Sequence, residues 1–588
     1  MKMTEALKIL QVADGRKNEP QYQVLLVCGF TPLHLETFLA AHLQEKLANR
    51  RISVRTGLFG DVAGTLESLK QEDIQSVAIV LEWQDLDPRL GFRSAGAWGP
   101  AAVADILNTA RAALDRTATA IERAAAGVPI ACCLPTLPLP PLFHTPGGQT
   151  AEAELLLERE LLDFAARCSR CRGFSLVNRR LLAEESPAAG RYDFKTDLLA
   201  GLPYTVAHAD CVAEALARLA APPAPKKGLI TDLDDTLWHG IAGEIGAENV
   251  SWDLASHQHV HGLYQKLLSA LAEEGVLIGI ASRNDPEVAH QALERPDLLL
   301  PRGRVFPVEV HWQAKSGSVE RILRAWNIAA DSVVFVDNSA MELAEVGAAH
   351  PGIECLRFPA GDAAAGYALL RRLRDLFGKP RLAEEDAIRL EGIRHGAAFR
   401  EGAADGARAE AFLEQAEAVV TLDFGATGDP RTLELVNKTN QFNLNGIRYT
   451  EPEWSRRLQR PGAFLLTVSY RDKFGPLGKI AVLEGRQEGE TLRIGTWVMS
   501  CRAFARRIEH QCMKAVFERS GASKMVFDFM STARNGPIRE FLESMAGAAP
   551  RGPVELTRTR FQEACPRLYH CIEEARTNRE TWTESQSA

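Results

Sequence analysis

Asp232 and Asp234 stand two residues apart in Leu229-Ile230-Thr231-Asp232-Leu233-Asp234-Asp235-Thr236-Leu237. The apolar run before them reads as a buried strand, and residues two apart leave a strand on the same face. Two like charges held close in a low-dielectric site need a cation or a proton between them. At the C-terminal end of a strand, such a pair suits a Mg²⁺-assisted carboxylate nucleophile with a second carboxylic acid beside it. Asp-Asp-Thr also starts helices well, so these residues alone leave both readings open.

Three further residues fall at the ends of predicted strands, where ligands bind in open α/β sheets. Ser282 ends the apolar run 276–281 and is followed by Arg283-Asn284-Asp285; a hydroxyl and nearby amides there could hold a phosphoryl oxygen. Lys315, in Trp312-Gln313-Ala314-Lys315-Ser316, could offset charge on a phosphoryl group. Asp337 ends Val333-Val334-Phe335-Val336 and would complete a hard oxygen shell for Mg²⁺. Alone, Lys315 reads as a surface lysine and Asp337 as a commonplace strand end. Together and in this order, the four pieces specify phosphoryl transfer. The spaced glycines of 238–246 suit a short hairpin flap over the site, with no bulky cap after it. An open site of that kind would admit a substrate carried on a protein. His257, His259 and His261 precede an amphipathic helix and are expected to be a solvated helix start.

A second constellation lies near the C-terminus. In Met499-Ser500-Cys501-Arg502, a predicted strand gives way to a helix at a thiol flanked by arginines. Such a thiol has its thiolate favoured and could accept an acyl group; the alternative is a cysteine packed at a strand–helix joint.

The elements that must position these residues alternate strand and helix in the first two thirds of the chain, which argues for parallel sheets. Strands are expected over 22–30, 77–81, 128–134, 228–233, 276–281 and 332–336, with helices over 33–47, 100–126, 261–274 and 318–326. Ala221-Pro222-Pro223-Ala224-Pro225 reads as a linker. From about residue 416 strand character rises, over 463–468, 480–483 and 492–497, followed by helices over 504–519 and 537–544. At 588 residues the chain exceeds one core. Domains are expected at 1–220, 226–380 and 411–588. A net charge of −8 argues against a dedicated nucleic-acid binder. No signal pattern opens the chain and no run is long enough for a membrane span, so a cytoplasmic location is the default expectation. The lone Cys168-Ser169-Arg170-Cys171 has no zinc-spaced partner, and Cys132-Cys133 reads as buried packing.

These stretches resemble FkbH-like proteins of haloacid dehalogenase (HAD) subfamily IIIC. The match rests on 232–240 with Gly243-Glu244, Ala281 to Asp285, Trp312 to Lys315, Val334 to Asp337, 437–442, Asp472-Lys473-Phe474-Gly475, Ser500-Cys501-Arg502 and Thr532-Ala533-Arg534-Asn535. The resemblance implies an α/β protein of three parts: an SGNH-hydrolase-like domain, a HAD-like Rossmannoid domain with a minimal cap, and a GNAT-like α+β domain. It implies that Asp232 is the phosphorylated nucleophile and Asp234 the acid/base. Ser282 and Lys315 would contact the phosphoryl group. Thr236, Arg283, Asn284 and Arg502 would bind substrate or phosphate. Mg²⁺ would be held by Asp232, Asp337 and the main-chain carbonyl of Asp234. Cys501 is the expected acyl nucleophile. Such proteins take a glyceryl unit from 1,3-bisphosphoglycerate, dephosphorylate it and load it onto the phosphopantetheine thiol of an acyl carrier protein for polyketide-type pathways; no nucleic-acid or membrane partner is implied. A plain Mg²⁺-dependent phosphatase and a non-catalytic carrier-docking scaffold are the alternatives.

Several positions depart from the family pattern. Asp235 replaces Asn, His239 replaces Gly and Asn338 replaces Asp. Ala505 and Arg507 replace the glycines of an Arg-x-x-Gly-Arg-Gly turn, which would let amides approach a pyrophosphate. In the first domain, Cys28-Gly29-Phe30-Thr31 stands where a serine hydrolase would carry its nucleophile, and no serine is assigned to His208. A docking or scaffolding role is expected there.

Overall fold

The computed structural model describes residues 1–15, 19–69, 74–94, 98–125, 127–382, 386, 389–394, 397, 410, 413–425, 429–473, 475–500, 503–532 and 534–575. The chain forms two compact units, one of Met1–Pro223 with Thr450–Ser455, the other of Ala224–Tyr449 with Arg456–Ala588.

The first unit is built on a five-stranded parallel sheet in the order Arg51–Thr56, Gln21–Cys28, Ser76–Val80, Ile130–Cys133, Phe174–Leu176. Val24, Leu26 and Val27 are fully buried, as expected of a central strand covered on both faces. Cys132 and Cys133 are buried packing. The fold gives His208 partners that the sequence did not reveal. Ser186 Oγ lies 2.8 Å from its Nδ1 and Thr136 Oγ1 2.8 Å from its Nε2. Thr136 also donates to the buried Glu82 carboxylate at 2.7 Å, and Tyr204 donates to the same carboxylate at 2.5 Å. Burial pushes the His208 imidazole down to about 3, so it is neutral at ordinary pH.

The second unit carries two sheets. One is five-stranded and wholly parallel, in the order Glu354–Arg357, Val333–Asp337, Gly228–Thr231, Leu277–Ser282, Val305–Val310. Its central strands are apolar on both faces, with Leu229, Ile230, Ile278, Ile280, Val334 and Phe335 fully buried. The helix Lys315–Trp326 is seated by its last residue. A Cβ on Gly228 would meet Trp326 Cζ3 at 2.5 Å and one on Gly279 would meet Cζ2 at 2.8 Å, so two glycines on adjacent strands make the floor for the indole. The indole N–H donates to the Phe306 carbonyl at 2.6 Å. The 238–246 segment is a loop with a short helix, Ala242–Ile245, and not a hairpin. Its side-chain anchors are Asp234 and Asp235, and His239 forms an isolated antiparallel bridge with Ser251. Of the three histidines, His257 and His259 are exposed, but His261 is buried, its ring against Phe358 and its Nδ1–H donated to the Thr236 carbonyl at 3.0 Å.

The other sheet is mixed, in the order Val554–Thr557, Lys524–Phe527, Thr491–Met499, Gly475–Glu488, Ala463–Asp472, Val419–Asp423, Cys571–Glu574. Thr491 to Ile494 pair in parallel with Lys524 to Phe527, and the pairing stops there. Beyond it Phe442–Asn443 pairs with Val498 and Met499, the Leu444 N–H donates to the Trp497 carbonyl at 2.9 Å, and the Met530 N–H donates to the Leu444 carbonyl at 3.2 Å. Asn445 Nδ2 donates to the Gly495 carbonyl at 2.9 Å. The polar segment 437–445 thus supplies the backbone partners that two diverging strands would otherwise lack. Among the described residues no helix is long and apolar enough to cross a membrane.

Candidate active site

Parallel strands aligned in one direction bring their C-terminal ends to one edge. There the sheet places Asp232 next to Asp337, with the Asp232 N–H donating to the Val336 carbonyl at 3.0 Å. Lys315 stands between the two acids. Its Nζ lies 3.0 Å from Asp232 Oδ1 and donates to Asp337 Oδ2 at 2.6 Å. All three are nearly inaccessible, at 6%, 0% and 4% exposure for Asp232, Asp337 and Lys315. Asp337 Oδ1 accepts the Ser339 N–H at 2.8 Å. Ser282, also buried, ends the neighbouring strand and supports the ionised form of Asp232.

Burial drives the Asp232 carboxyl above the usual carboxylate range, against the pull of the Lys315 ammonium. Asp337 is raised by burial and by the Asp232 charge. Burial works against the Lys315 ammonium as well, but the two carboxylates outweigh it and hold its pKa above the ordinary value. These shifts agree in sense: two buried acids with one cation are short of positive charge. Asp232 Oδ1, though near Lys315, receives no aligned hydrogen bond.

Those observations fit a divalent cation. Among the described residues no three histidine, cysteine, aspartate or glutamate side chains form a metal cage. Two carboxylates and a main-chain carbonyl are enough for Mg²⁺, which keeps several waters. The Asp234 carboxylate is committed elsewhere. Oδ1 accepts the Trp238 indole N–H at 2.9 Å and the Ala242 N–H at 3.1 Å, and Oδ2 accepts Asn284 Nδ2 at 2.9 Å. Burial still raises its pKa.

The remaining sequence-predicted residues divide. Asn284 is buried and bonded to Asp234. Thr236 is fully buried and its hydroxyl has no hydrogen-bond partner. Arg283 pairs with Glu342 at 3.1 Å and is half-exposed, a partner that nothing in the local sequence announced. Trp238 and the Ala242 amide, which orient Asp234, are functional groups that strand-end reasoning missed; their only sequence signal is the run of apolar and small residues just after the acids. Cys501 and Arg502 lie outside the described residues. In the turn that follows, Ala505 and Arg507 hold φ of 66° and 57°, the left-handed conformation, at the positions where glycine was expected. Each costs of order 1–3 kcal/mol, so the turn's shape is kept at some expense.

No family model matches the chain, and no curated protein matches it. Among solved structures, it is similar to the N-terminal part of the protein BF1531 from Bacteroides fragilis, which contains a phosphatase domain and was crystallised with Mg. That likeness covers 65% of this chain and 100% of the other, at 18% identity and a TM-score of 0.50. A second structure, an uncharacterized protein from Corynebacterium glutamicum, covers 26% of this chain and 98% of the other at 18% identity and a TM-score of 0.19. The first likeness shows a shared fold.

Proposed function

We propose that the parallel-sheet part of the second unit is a Mg²⁺-dependent phosphatase of the HAD type. The observation that carries this reading is the buried Asp232–Lys315–Asp337 constellation at adjacent strand ends, with Asp234 two residues on. Asp232 attacks phosphorus and the bond to the leaving oxygen breaks. Asp234, whose carboxyl burial raises above the usual carboxylate range, gives that oxygen its proton, then takes one from the water that attacks the aspartyl phosphate. Lys315 offsets charge on the phosphoryl oxygens. Mg²⁺, held by Asp232, Asp337 and the Asp234 carbonyl, would supply further charge neutralisation. The Mg-bearing structure with the shared fold is in keeping with this choice of metal.

The finer reading follows from the FkbH-like resemblance. The chain takes a glyceryl-type unit from 1,3-bisphosphoglycerate or a related acyl phosphate, removes the remaining phosphate, and delivers the acyl group to the phosphopantetheine thiol of an acyl carrier protein. Acyl transfer is assigned to the GNAT-like C-terminal part, with Cys501 as the acyl-accepting thiol. The left-handed turn at Ala505 and Arg507 supports a working site there, since backbone strain of this kind clusters at functional sites. Incubation with 1,3-bisphosphoglycerate, Mg²⁺ and a holo carrier protein, followed by intact mass spectrometry, tests it. Glyceryl on the carrier is expected; phosphate release with a bare carrier would leave the phosphatase alone.

A further inference from the structure

The C-terminal part of the second unit holds a cluster of polar atoms that the phosphatase does not use. His570 Nε2 lies 2.8 Å from the Arg506 carbonyl. A carbonyl only accepts, so Nε2 carries the proton and Nδ1 of the neutral ring carries a lone pair. That Nδ1 is buried and has no hydrogen-bond partner. Burial lowers the His570 pKa, which favours the neutral ring. The ring stands edge-on to Tyr470, at 6.3 Å between centroids. Glu509, Arg507 and His510, from the start of the helix Ile508–Ser520, also act on it electrostatically.

Two of those neighbours are themselves incompletely bonded. Glu509 Oε2 and His510 Nδ1 are buried without hydrogen-bond partners, and Glu509 Oε1 lies 3.4 Å from His510 Nδ1. His510 packs edge-on against Phe541 at 5.0 Å, and Trp497 packs edge-on against the same ring at 5.5 Å. The Trp497 indole N–H, fully buried, has no acceptor either. Buried polar groups are ordinarily satisfied. Buried polar atoms left bare on His570, Glu509 and His510, which act on one another, describe a site completed from outside by a ligand with a protic end.

We propose that His570 is the base that takes the proton from the incoming thiol during acyl transfer, with Glu509 and His510 positioning it. This rests on the acyl-transfer reading above. The ligand is a pantetheine-type thiol, which joins a protic sulfur to amide N–H and carbonyl groups. The S–H proton passes to His570 Nδ1 and the sulfur forms a bond to the acyl carbon. The bond to the leaving group, phosphate or a thiolate, breaks with its electron pair on that group, which then receives the proton from the imidazolium. Nothing is oxidised or reduced. The Glu509 carboxylate stabilises the imidazolium while it lasts.

The test uses the full-length protein with 1,3-bisphosphoglycerate as donor and pantetheine as acceptor, thioester formation being followed from pH 6 to 9. H570Q is expected to lose transfer by about 100-fold or more, and to recover part of it above about pH 8.5, where the thiol ionises unaided. E509Q should lose less and shift the pH profile. Both variants should hydrolyse p-nitrophenyl phosphate at the wild-type rate, which shows that they fold. Wild-type transfer with an unchanged pH profile in H570Q would overturn the proposal. Should wild-type protein make no thioester, the acyl-transfer reading fails, and calorimetry with pantetheine then decides the site: binding that H570Q weakens sustains it as a thiol site, whereas equal binding or none overturns it.

Discussion

At the scale of single residues, the phosphatase reading turns on charge balance. Lys315 is the only cation within 4 Å of Asp232 and Asp337 among the described residues. Lys315→Met would leave two buried acids without compensation. Breaking a buried pair in this way costs about 3–5 kcal/mol, and phosphate release should fall at least 100-fold, since the phosphoryl group loses its fixed cation. Thermal unfolding with and without Mg²⁺ checks this: added Mg²⁺ should stabilise the variant more than the wild type. His208 supports a separate prediction. Its pKa is pushed down to about 3, so the unfolded chain binds a proton between its own value near 6.5 and pH 3 while the folded chain does not. Stability should therefore fall as pH drops from 6.5, with a slope approaching 1.4 kcal/mol per unit. Denaturant melts of the wild type and H208Q at pH 5 to 7, above most carboxylates, should show the slope in the wild type and a flatter line in the variant.

At the scale of elements, Lys315 is the first residue of its helix and Trp326 the last, so the seat of the indole sets where the ammonium points. Gly279→Ala would put a methyl group 2.8 Å from the ring. Overpacking of this kind costs about 1–3 kcal/mol, and the helix would shift to relieve it. The expected result is a lower melting temperature together with a drop in phosphatase kcat, although Gly279 lies under the helix and touches no substrate. An unchanged kcat at reduced stability would separate the seat from the site. The central strands were legible because strands covered on both faces are apolar throughout, as in Leu229-Ile230 and Val333-Val334-Phe335-Val336. The outer strands were not. Arg51–Thr56 and Glu354–Arg357 are only partly buried, Cys571–Glu574 is exposed along its length, and their sequences are accordingly polar. His261 was misread because its burial comes from Phe358, nearly a hundred residues on, and local periodicity carries no trace of that contact.

At the scale of the whole molecule, the proposed function assigns phosphoryl chemistry to the parallel sheet and acyl chemistry to the mixed sheet of one unit, so substitutions should separate them. Asp232, Ser282 and Asp337 were readable because parallel topology turns an order in sequence into a shared edge, whereas Lys315, expected at a strand end, opens the helix Lys315–Trp326 five residues after the strand Val305–Val310. The His570 cluster was not, because it joins a helix start to a segment sixty residues later and has no fixed spacing. The central claim is that Asp232 is the nucleophile. Its most direct test is to mix the protein with 1,3-bisphosphoglycerate and Mg²⁺, quench in acid within the first turnover, and map the phosphorylated peptide by mass spectrometry. A hydroxylamine-labile phosphoryl group on Asp232, absent in D232N along with all phosphate release, is the predicted result. Phosphate release that persists in folded D232N, or a phosphoryl group carried on another residue, would contradict the account.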